Sequence, residues 1–451
     1  MKKSQLSGLY LLLLGAAIFV VFGSVFEIHT PALAGDFKAS YYSARCFLHD
    51  DCDPYAETDV FRLYREQEDP HLPAFDSTHF VVTRYVYLPT AFVFTVPFAI
   101  LPVGPAHVLW MAVTAAGMIL AAFLMWNIGR YDAPLASGLL LAFLLANSGM
   151  ALAIGNPAGV TVAFCVIAVW CFVNERFVSA GILCLAISLA LKPHDAGFVW
   201  LYLLLAGGTL RKNALRVLAV YAAFAVPVSL WTVHISPHWI QELQSNLQWF
   251  SQRGGINDPG PSSFTGHGVI RAIDLQAAIS VFRDDPHFYN SLSFLVCGLL
   301  FLAWAVVLLR SQHNPARLWF MFAGIAALSM LPSYHRPYDA KLLLLIVPAF
   351  AILWAERGPV RWAALLLSGA AVSAIGDFPL AILALFAHQV PISAGTFFGK
   401  LLVISLWNPT PLILLATAVF FLWVFMRQNT RCVALSPLAG AAKTSTNGVT
   451  A

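Results

Sequence analysis

Long apolar stretches recur along the chain and are separated by short groups of charged and polar residues. A helix that crosses a bilayer needs about 17–25 mostly apolar residues, and in lipid only helices or closed barrels satisfy every backbone polar group. The stretches are continuous rather than alternating, which favours helices over a barrel. The pattern predicts twelve spans, near Leu6–Phe26, Pro105–Ile128, Ala133–Ile154, Pro157–Val173, Val178–Leu191, Ala196–Gly208, Asn213–Val233, Ser291–Leu309, Arg317–Leu331, Ala340–Ala355, Val360–Leu383 and Leu401–Phe425.

A further apolar stretch, Leu88–Leu101, differs from these because Pro89 and Pro97 interrupt it and Pro102 follows it. Its length suits about half of a bilayer. We expect it to form a re-entrant or interfacial helix on the outer side of the membrane, which its prolines allow.

Basic residues set the orientation, because cytoplasmic turns carry an excess of Lys and Arg. Lys2 and Lys3 place the N-terminus in the cytoplasm. Strict alternation of the spans, with Leu88–Leu101 not crossing, brings the other basic turns to the same side: Arg130, Arg176, Arg211 with Lys212 and Arg216, Arg310 with Arg317, Arg357 with Arg361, and Arg427 with Arg431. Segments 27–84 and 235–290 then form long outer loops.

The composition agrees with a polytopic membrane protein. Of the 451 residues, 59% are hydrophobic and only 11% are charged, whereas soluble domains carry about 25% charged residues. The formal net charge is +4 without a dense basic stripe, which argues against nucleic-acid binding. We expect an all-α polytopic membrane protein with a single transmembrane domain over residues 1–435 and a disordered cytoplasmic tail over residues 436–451.

The N-terminal span has an alternative interpretation as a cleaved signal peptide, because small residues surround Ala34 in the sequence Ala32-Leu33-Ala34-Gly35. Its apolar run is longer than a typical signal core of about 7–15 residues, and the candidate cleavage site lies well beyond it. We therefore expect a retained anchor.

Two cysteines, Cys46 and Cys52, lie close together in the first outer loop. In an oxidising periplasm such a pair commonly forms a disulfide, and two free thiols are the alternative. No cysteine or histidine spacing indicates a zinc site, and no glycine-rich phosphate loop occurs. A cluster at Asp50, Asp51 and Asp53 is more simply a solvated acidic run, so no cofactor is expected, although a divalent metal is not excluded.

Several cations occupy outer turns against the orientation rule, and binding an anion is a reason for such placement. They are Lys192, His335 and Arg336. Each has an ordinary alternative: Lys192 can extend to the lipid headgroups, and Arg336 can pair with Asp339 in a helix turn. His194 and Asp195 can cap the next span.

Short motifs in a fixed order resemble a known family. They are Gly35-Asp36-Phe37-Lys38-Ala39-Ser40-Tyr41-Tyr42-Ser43-Ala44, Cys52-Asp53-Pro54-Tyr55, Tyr85-Val86-Tyr87-Leu88-Pro89-Thr90, Pro97-Phe98-Ala99-Ile100-Leu101-Pro102, Gly155-Asn156-Pro157 and Leu191-Lys192-Pro193. This order resembles glycosyltransferase family 87, the polyprenyl-phosphate-hexose-dependent mannosyltransferase-like enzymes of the GT-C superfamily. The acidic and polar region from Arg62 to Thr78 matches no motif of that pattern.

The resemblance implies a GT-C-like enzyme with an acidic catalytic residue in the first outer loop, a position that Asp36 occupies. Taken alone, Asp36 would most often be a solvated side chain or a helix N-cap. A phosphate leaving group needs cations, which Lys192, His335 and Arg336 would supply. The candidate substrate contacts are Tyr41, Asn156, His194, His267 and Asp339. The ordinary alternatives are an interfacial anchor for Tyr41 and a plain flexible loop around His267.

The leading hypothesis is therefore an inverting glycosyltransferase of the cell envelope. It would move a hexose, with mannose as the expected sugar, from a polyprenyl-phosphate donor to a lipid or glycan acceptor. We expect it in the bacterial inner membrane with its active site facing the periplasm or the cell exterior. The alternative is a transporter or flippase, but such folds usually carry internal repeats and midplane charges, and the sequence has neither.

Overall fold

The computed structural model describes residues 2–29, 34–68, 82, 84–261, 272–310, 315–389 and 395–441. Regular structure in these ranges is helical, without β-strands. The α-helices are α1 (Lys3–His29), α2 (Gly35–Phe47), α3 (Glu57–Gln67), α4 (Phe92–Ala99), α5 (Val103–Gly129), α6 (Pro134–Ala146), α7 (Gly149–Ala153), α8 (Ala158–Val173), α9 (Val178–Leu191), α10 (Pro193–Ala206), α11 (Gly208–Ile235), α12 (Trp239–Ser251), α13 (Leu275–Ser280), α14 (Pro286–Arg310), α15 (Pro315–Leu328), α16 (Ile346–Ala355), α17 (Val360–Ala374), α18 (Asp377–Gln389), α19 (Phe397–Leu402) and α20 (Thr410–Ala441).

Within the described ranges, five helices are long and apolar enough to cross a membrane: α1, α5, α11, α14 and the part Thr410–Arg427 of α20. A sixth span results if the bent pair α17 and α18 counts as one. Several other predicted spans are shorter apolar helices of 10–17 residues. An all-helical membrane protein is therefore confirmed, whereas the number of twelve crossings stays a prediction.

The predicted span Ala133–Ile154 is not one helix, because it divides into α6 and α7 around Asn147 and Ser148. Both side chains turn back onto the preceding helix: Asn147 Nδ2 donates to the Phe143 carbonyl at 2.8 Å and Ser148 Oγ to the Leu144 carbonyl at 2.6 Å. Such local hydrogen bonds compete with the helical ones and end the helix.

Two other predicted spans are also interrupted. The span Val360–Leu383 bends by 72° between α17 and α18. The span Leu401–Phe425 is broken at Asn408 and Pro409, where the chain leaves the helical conformation before α20. Proline disfavours a helical conformation in the residue before it, which accounts for the second break.

The predicted outer loops contain helices of their own. The first includes α2 and α3, and the second includes α12 and α13. The segment Leu88–Leu101 forms a 3₁₀ turn, Pro89–Ala91, followed by α4, which is too short to cross a bilayer.

At the C-terminus α20 continues to Ala441, so residues 436–441 of the predicted tail are helical. Residues 442–451 lie outside the described ranges.

Small residues bring the N-terminal helix close to its neighbour. A Cβ atom added at Gly8 would lie 2.3 Å from the Pro134 carbonyl oxygen, and one added at Gly15 would lie 2.4 Å from the Ala142 carbonyl oxygen. Small residues at a helix interface allow this close approach of two backbones. Helix α1 is thereby packed directly onto α6.

Candidate functional site

Polar side chains meet where several helices break. The breaks are the turn between α7 and α8, the residue Lys192 between α9 and α10, and the turn that follows α15. We name the group that gathers there the polar cluster; its members are Asp36, Tyr87, Asn156, Lys192, Asp195, His335, Arg336, Tyr338 and Asp339. Buried ionisable groups are costly unless they are paired, so such a concentration indicates a functional site.

Helix α2 brings Asp36 to the polar cluster by docking on the turn at Gly155. The backbone N–H of Phe37 donates to the Ile154 carbonyl at 3.4 Å. Gly155 has a φ of +65°, and a Cβ atom added there would lie 2.5 Å from the Phe37 Cβ. Only glycine combines that backbone conformation with so close an approach, so Gly155 fixes where the first turn of α2 lies.

Asn156 orients the Asp36 carboxylate. Its Oδ1 accepts the backbone N–H of Ala158 at 2.9 Å, which leaves Nδ2 pointing away from the helix. Nδ2 donates to Asp36 Oδ2 at 2.7 Å and to the Tyr87 hydroxyl at 3.2 Å. An amide whose oxygen is already engaged can only donate to its other neighbours, so its orientation is determined by these contacts.

Two tyrosines, the partly buried Tyr87 and the buried Tyr338, belong to the polar cluster. Burial raises the pKa of Tyr87 well above 10, and the nearby charges of Asp36 and Asp339 raise it further. The pKa of Tyr338 is raised in the same way, chiefly by burial and also by the charges of Asp339 and Asp36, while Arg336 lowers it. Tyr338 packs with Ile154 and Ala158, on either side of the turn that holds Asn156, and its ring centre lies 5.5 Å from Lys192 Nζ.

Lys192 is almost completely buried, with 3% of its surface exposed. Its Nζ lies 2.5 Å from Asp339 Oδ1 and 3.6 Å from Asp195 Oδ2. Burial alone would lower the pKa of Lys192, but the two carboxylates outweigh burial and raise it. Lys192 is therefore a fixed cation inside the protein and does not extend to the lipid headgroups.

His335 lies on the other side of Asp195. Its Nδ1 is 2.6 Å from the Ser333 carbonyl oxygen, and its Nε2 is 3.4 Å from Asp195 Oδ1. Burial alone would lower the pKa of His335, but the Asp195 carboxylate raises it. His194 approaches the same oxygen from α10, with its Nε2 at 3.5 Å.

Arg336 links the polar cluster to the second outer segment. Its guanidinium donates to the Ile256 carbonyl and, at 2.9 Å, to Asn257 Oδ1. Its backbone N–H donates to Asp339 Oδ2 at 2.7 Å. Asp339 thus contacts both Lys192 and the Arg336 backbone, and it orders the turn after α15.

An apolar groove of about 550 Å³ begins beside the polar cluster. It lies along α10 and α11 and is lined by Leu189, Pro193, His194, Gly197, Phe198, Trp200, Leu201, Leu218 and Tyr221. His194, whose side chain is 42% exposed, belongs to both the groove and the surroundings of Asp195. The groove therefore connects an apolar surface with the buried charges.

The remaining predicted residues lie elsewhere. Tyr41 donates from its hydroxyl to the Leu101 carbonyl at 2.7 Å and is not part of the polar cluster. His267 lies outside the described residues. Cys46 and Cys52 are joined as a disulfide at the end of α2. In the acidic run, Asp53 accepts hydrogen bonds from the Tyr55 N–H and the Ser236 hydroxyl, which gives it a structural role.

Sequence reasoning underrated some members of the polar cluster. Asp195 follows Lys192 by one helical turn, and this spacing was a usable signal for an internal ion pair. Tyr87 carried no such signal, because its neighbours Asp36 and Asn156 are distant in the chain. Asp195 does not cap α10, since no side-chain hydrogen bond caps the start of that helix.

A helical membrane protein with buried acids and bases at broken helix ends is a candidate membrane enzyme. The chain belongs to glycosyltransferase family 87, whose sequence model matches residues 85–333, more than half of the chain. The resemblance inferred from the short motifs is thereby confirmed, and membership implies a glycosyltransferase with a sugar donor and an acceptor. No curated protein matches the chain in sequence.

The matched stretch covers only part of the polar cluster. Tyr87, Asn156 and Lys192 lie within residues 85–333, whereas Asp36 and Arg336 lie outside it. The roles of the residues outside the matched stretch therefore depend on geometry and chemistry alone.

Proposed function

We propose that the protein is an inverting GT-C glycosyltransferase of the bacterial inner membrane. In this proposal twelve spans hold the polar cluster at the outer face of a single domain, residues 1–435. The enzyme takes a hexose, with mannose as the expected sugar, from a polyprenyl-phosphate donor and transfers it to a lipid or glycan acceptor. The observation that carries the proposal is the position of Tyr338: it packs with Ile154 and Ala158, which flank the turn of Asn156 beside Asp36, and its ring centre lies 5.5 Å from the buried Lys192 Nζ.

The proposed reaction needs a base on one side of the anomeric carbon and cations on the other. Asp36 accepts the proton of the acceptor hydroxyl as the acceptor oxygen bonds to the anomeric carbon. The bond between that carbon and the phosphate oxygen breaks at the same time, and its electron pair leaves with the phosphate. Attack opposite the leaving group inverts the anomeric centre.

The charges of the polar cluster suit a phosphate leaving group. A polyprenyl-phosphate hexose is a phosphodiester with one negative charge, and the released polyprenyl phosphate is a monoester that gains a second. Lys192, Arg336 and His335 would stabilise this developing charge. Without donor, the Lys192 cation is balanced by Asp195 and Asp339, which keeps it in place before the substrate binds.

The apolar groove along α10 and α11 suits the prenyl chain of the donor. It starts at His194, next to the buried charges, and its other lining residues are largely apolar. A lipid whose phosphate lies at the polar cluster would thus have an apolar path for its isoprene units.

Sugar transfer by purified protein in detergent tests the proposal. With polyprenyl-phosphate mannose as donor, wild-type protein should release polyprenyl phosphate, and Asp36→Asn should abolish turnover while the variant elutes as a folded monodisperse species. The matched control is Asp50→Asn, an exposed aspartate of the same loop, which should retain wild-type turnover. Unchanged turnover in Asp36→Asn would remove Asp36 from the mechanism.

The donor class and orientation need separate measurements. Turnover with a nucleotide sugar in place of the lipid donor would contradict the polyprenyl-phosphate assignment. The orientation is tested with single cysteines at the exposed positions 50 and 357 and a membrane-impermeant maleimide. The cysteine at position 50 should react when the reagent is added outside intact cells. The cysteine at position 357 should react only after the membrane is permeabilised. The opposite pattern would place the polar cluster on the cytoplasmic face.

A further inference from the structure

We propose that His194, Asp195 and His335 bind one Zn²⁺ ion, which contacts the donor phosphate. The ligand atoms of these residues all lie within 4.8 Å of one another. They come from the first turn of α10 and from the turn after α15, so only the folded chain brings them together. The phosphate contact rests on the proposed glycosyltransferase function; the metal site itself does not.

Two of the three ligand separations match those of a tetrahedral zinc ion. Asp195 Oδ1 is 3.4 Å from His335 Nε2 and 3.5 Å from His194 Nε2. Zinc binds histidine nitrogen and carboxylate oxygen at about 2.0–2.2 Å, which places two ligands of a tetrahedral site about 3.3–3.5 Å apart. These two separations suit ligands of one ion. The three ligand atoms lie within 4.8 Å of one another, so binding would also draw the two histidine side chains together.

The hydrogen bonding of His335 prepares its Nε2 to be a ligand. Nδ1 lies 2.6 Å from the Ser333 carbonyl oxygen, which can only accept, so Nδ1 carries a proton. Nε2 then faces Asp195 Oδ1 at 3.4 Å. In metal sites a histidine ligand commonly donates its other ring N–H to a carbonyl or carboxylate, which fixes the orientation of the ring.

The Asp195 carboxylate supplies the second observation. It is 1% exposed, and the Nε2 atoms of the two histidines approach its Oδ1 at 3.4 and 3.5 Å. Lys192 faces Oδ2, so Oδ1 is the side that remains for a cation.

Two histidines and one carboxylate suit a catalytic type of zinc site. Such sites use three protein ligands and keep a fourth position for water or substrate. Here His194 also lines the apolar groove, so the open position would lie where the groove meets the polar cluster. A phosphate oxygen in that position would have its developing charge stabilised by the ion, and His335 would then act on the phosphate through the metal.

Zinc binding by the full-length protein in detergent is the first test. The protein is stripped with a chelator and titrated with ZnCl₂ against a fluorescent zinc indicator, and bound zinc is counted by mass spectrometry after desalting. Wild type should bind one ion per chain. His194→Ala should weaken binding at least about tenfold, because loss of even an outer partner costs about 10–100-fold in affinity. His287→Ala, another exposed histidine at the start of a helix, is the matched control and should bind as wild type does.

The unfolding temperature of each variant is measured alongside the zinc titration. His194→Ala should unfold at the wild-type temperature without metal, and only wild type should gain thermal stability when ZnCl₂ is added. Absence of stoichiometric zinc in wild type, or equal affinity in His194→Ala, would overturn the site. Because no donor is present, this failure would leave the proposed sugar transfer untouched.

The phosphate contact is tested by titrating farnesyl phosphate into stripped and zinc-loaded protein. Zinc-loaded wild type should bind the phosphate more tightly than stripped wild type, and His194→Ala should lack this difference. Equal affinity with and without zinc in wild type would overturn the contact between metal and phosphate.

Discussion

Asn156 Nδ2 donates a hydrogen bond of 2.7 Å to Asp36 Oδ2, across 120 residues of sequence. The same amide is anchored by its oxygen to the backbone at the start of α8. The carboxylate proposed as the catalytic base is therefore oriented by the scaffold of a buried helix. The helix bundle therefore fixes the position of a side chain that belongs to an outer segment.

Replacing Asn156 should impair catalysis more than folding. Hydrogen bonds to charged groups are worth about 1.5–3 kcal/mol, so we expect Asn156→Ala to lower kcat about 10–100-fold. The measurement is sugar transfer under saturating donor. Asn174→Ala, which removes a similar amide contact at the other end of α8, serves as control and should retain activity. Wild-type kcat in Asn156→Ala would contradict the proposed role of this amide in orienting Asp36.

Adding a methyl group at Gly155 should displace the first turn of α2. Gly155→Ala places a Cβ atom against Phe37 and forces a left-handed conformation, which costs about 1–3 kcal/mol. We expect a lower unfolding temperature together with reduced transfer. In α14, Gly298 has no atom within 4 Å of an added Cβ, so Gly298→Ala should preserve both properties. Full activity in Gly155→Ala would show that the position of α2 is not critical.

Filling the apolar groove should affect the lipid donor selectively. An added Cβ at Gly197 meets no atom within 4 Å, so Gly197→Leu should fold while its side chain enters the space proposed for the prenyl chain. We expect KM for a long-chain donor to rise several-fold with kcat little changed. Gly298→Leu is the size-matched control. An unchanged KM in Gly197→Leu would place the lipid elsewhere.

Stability should depend on pH through Asp274, which caps α13 by accepting the Ala277 N–H at 2.9 Å. Burial raises its pKa to about 6, whereas in an unfolded chain an aspartate titrates near about 3.9. Between these values the folded protein binds more protons than the unfolded chain, so the contribution of Asp274 to stability falls as pH rises through that window.

Asp274→Asn keeps a capping oxygen and removes the ionisation. We expect the variant to be about 2–3 kcal/mol more stable than wild type at pH 7.5 and similar to it near pH 4, measured by unfolding in detergent. Asp50→Asn, on the exposed surface, should show no such pH-dependent gain. A constant difference between Asp274→Asn and wild type at both pH values would contradict the linkage.

The long helices could be predicted because their signal is local. The predicted spans Leu6–Phe26 and Pro105–Ile128 fall inside α1 and α5, since a run of about twenty apolar residues specifies a helix without reference to the rest of the chain. The break at Asn147 was missed, because one polar residue in an apolar run is compatible with a continuous helix. The break depends on the hydrogen bond from the Asn147 side chain to the Phe143 carbonyl, which the sequence does not show.

The sequence by itself determined that this is a helical membrane protein of glycosyltransferase family 87, and it marked Asp36, Lys192 and Arg336 as unusual. Those properties follow from composition, run length and short motifs. Only the tertiary structure decided that Lys192 pairs with Asp339 and that the side chain of His335 lies beside His194 and Asp195. Lys192 and Asp339 are 147 positions apart in the chain, so their pairing depends on how the helices pack.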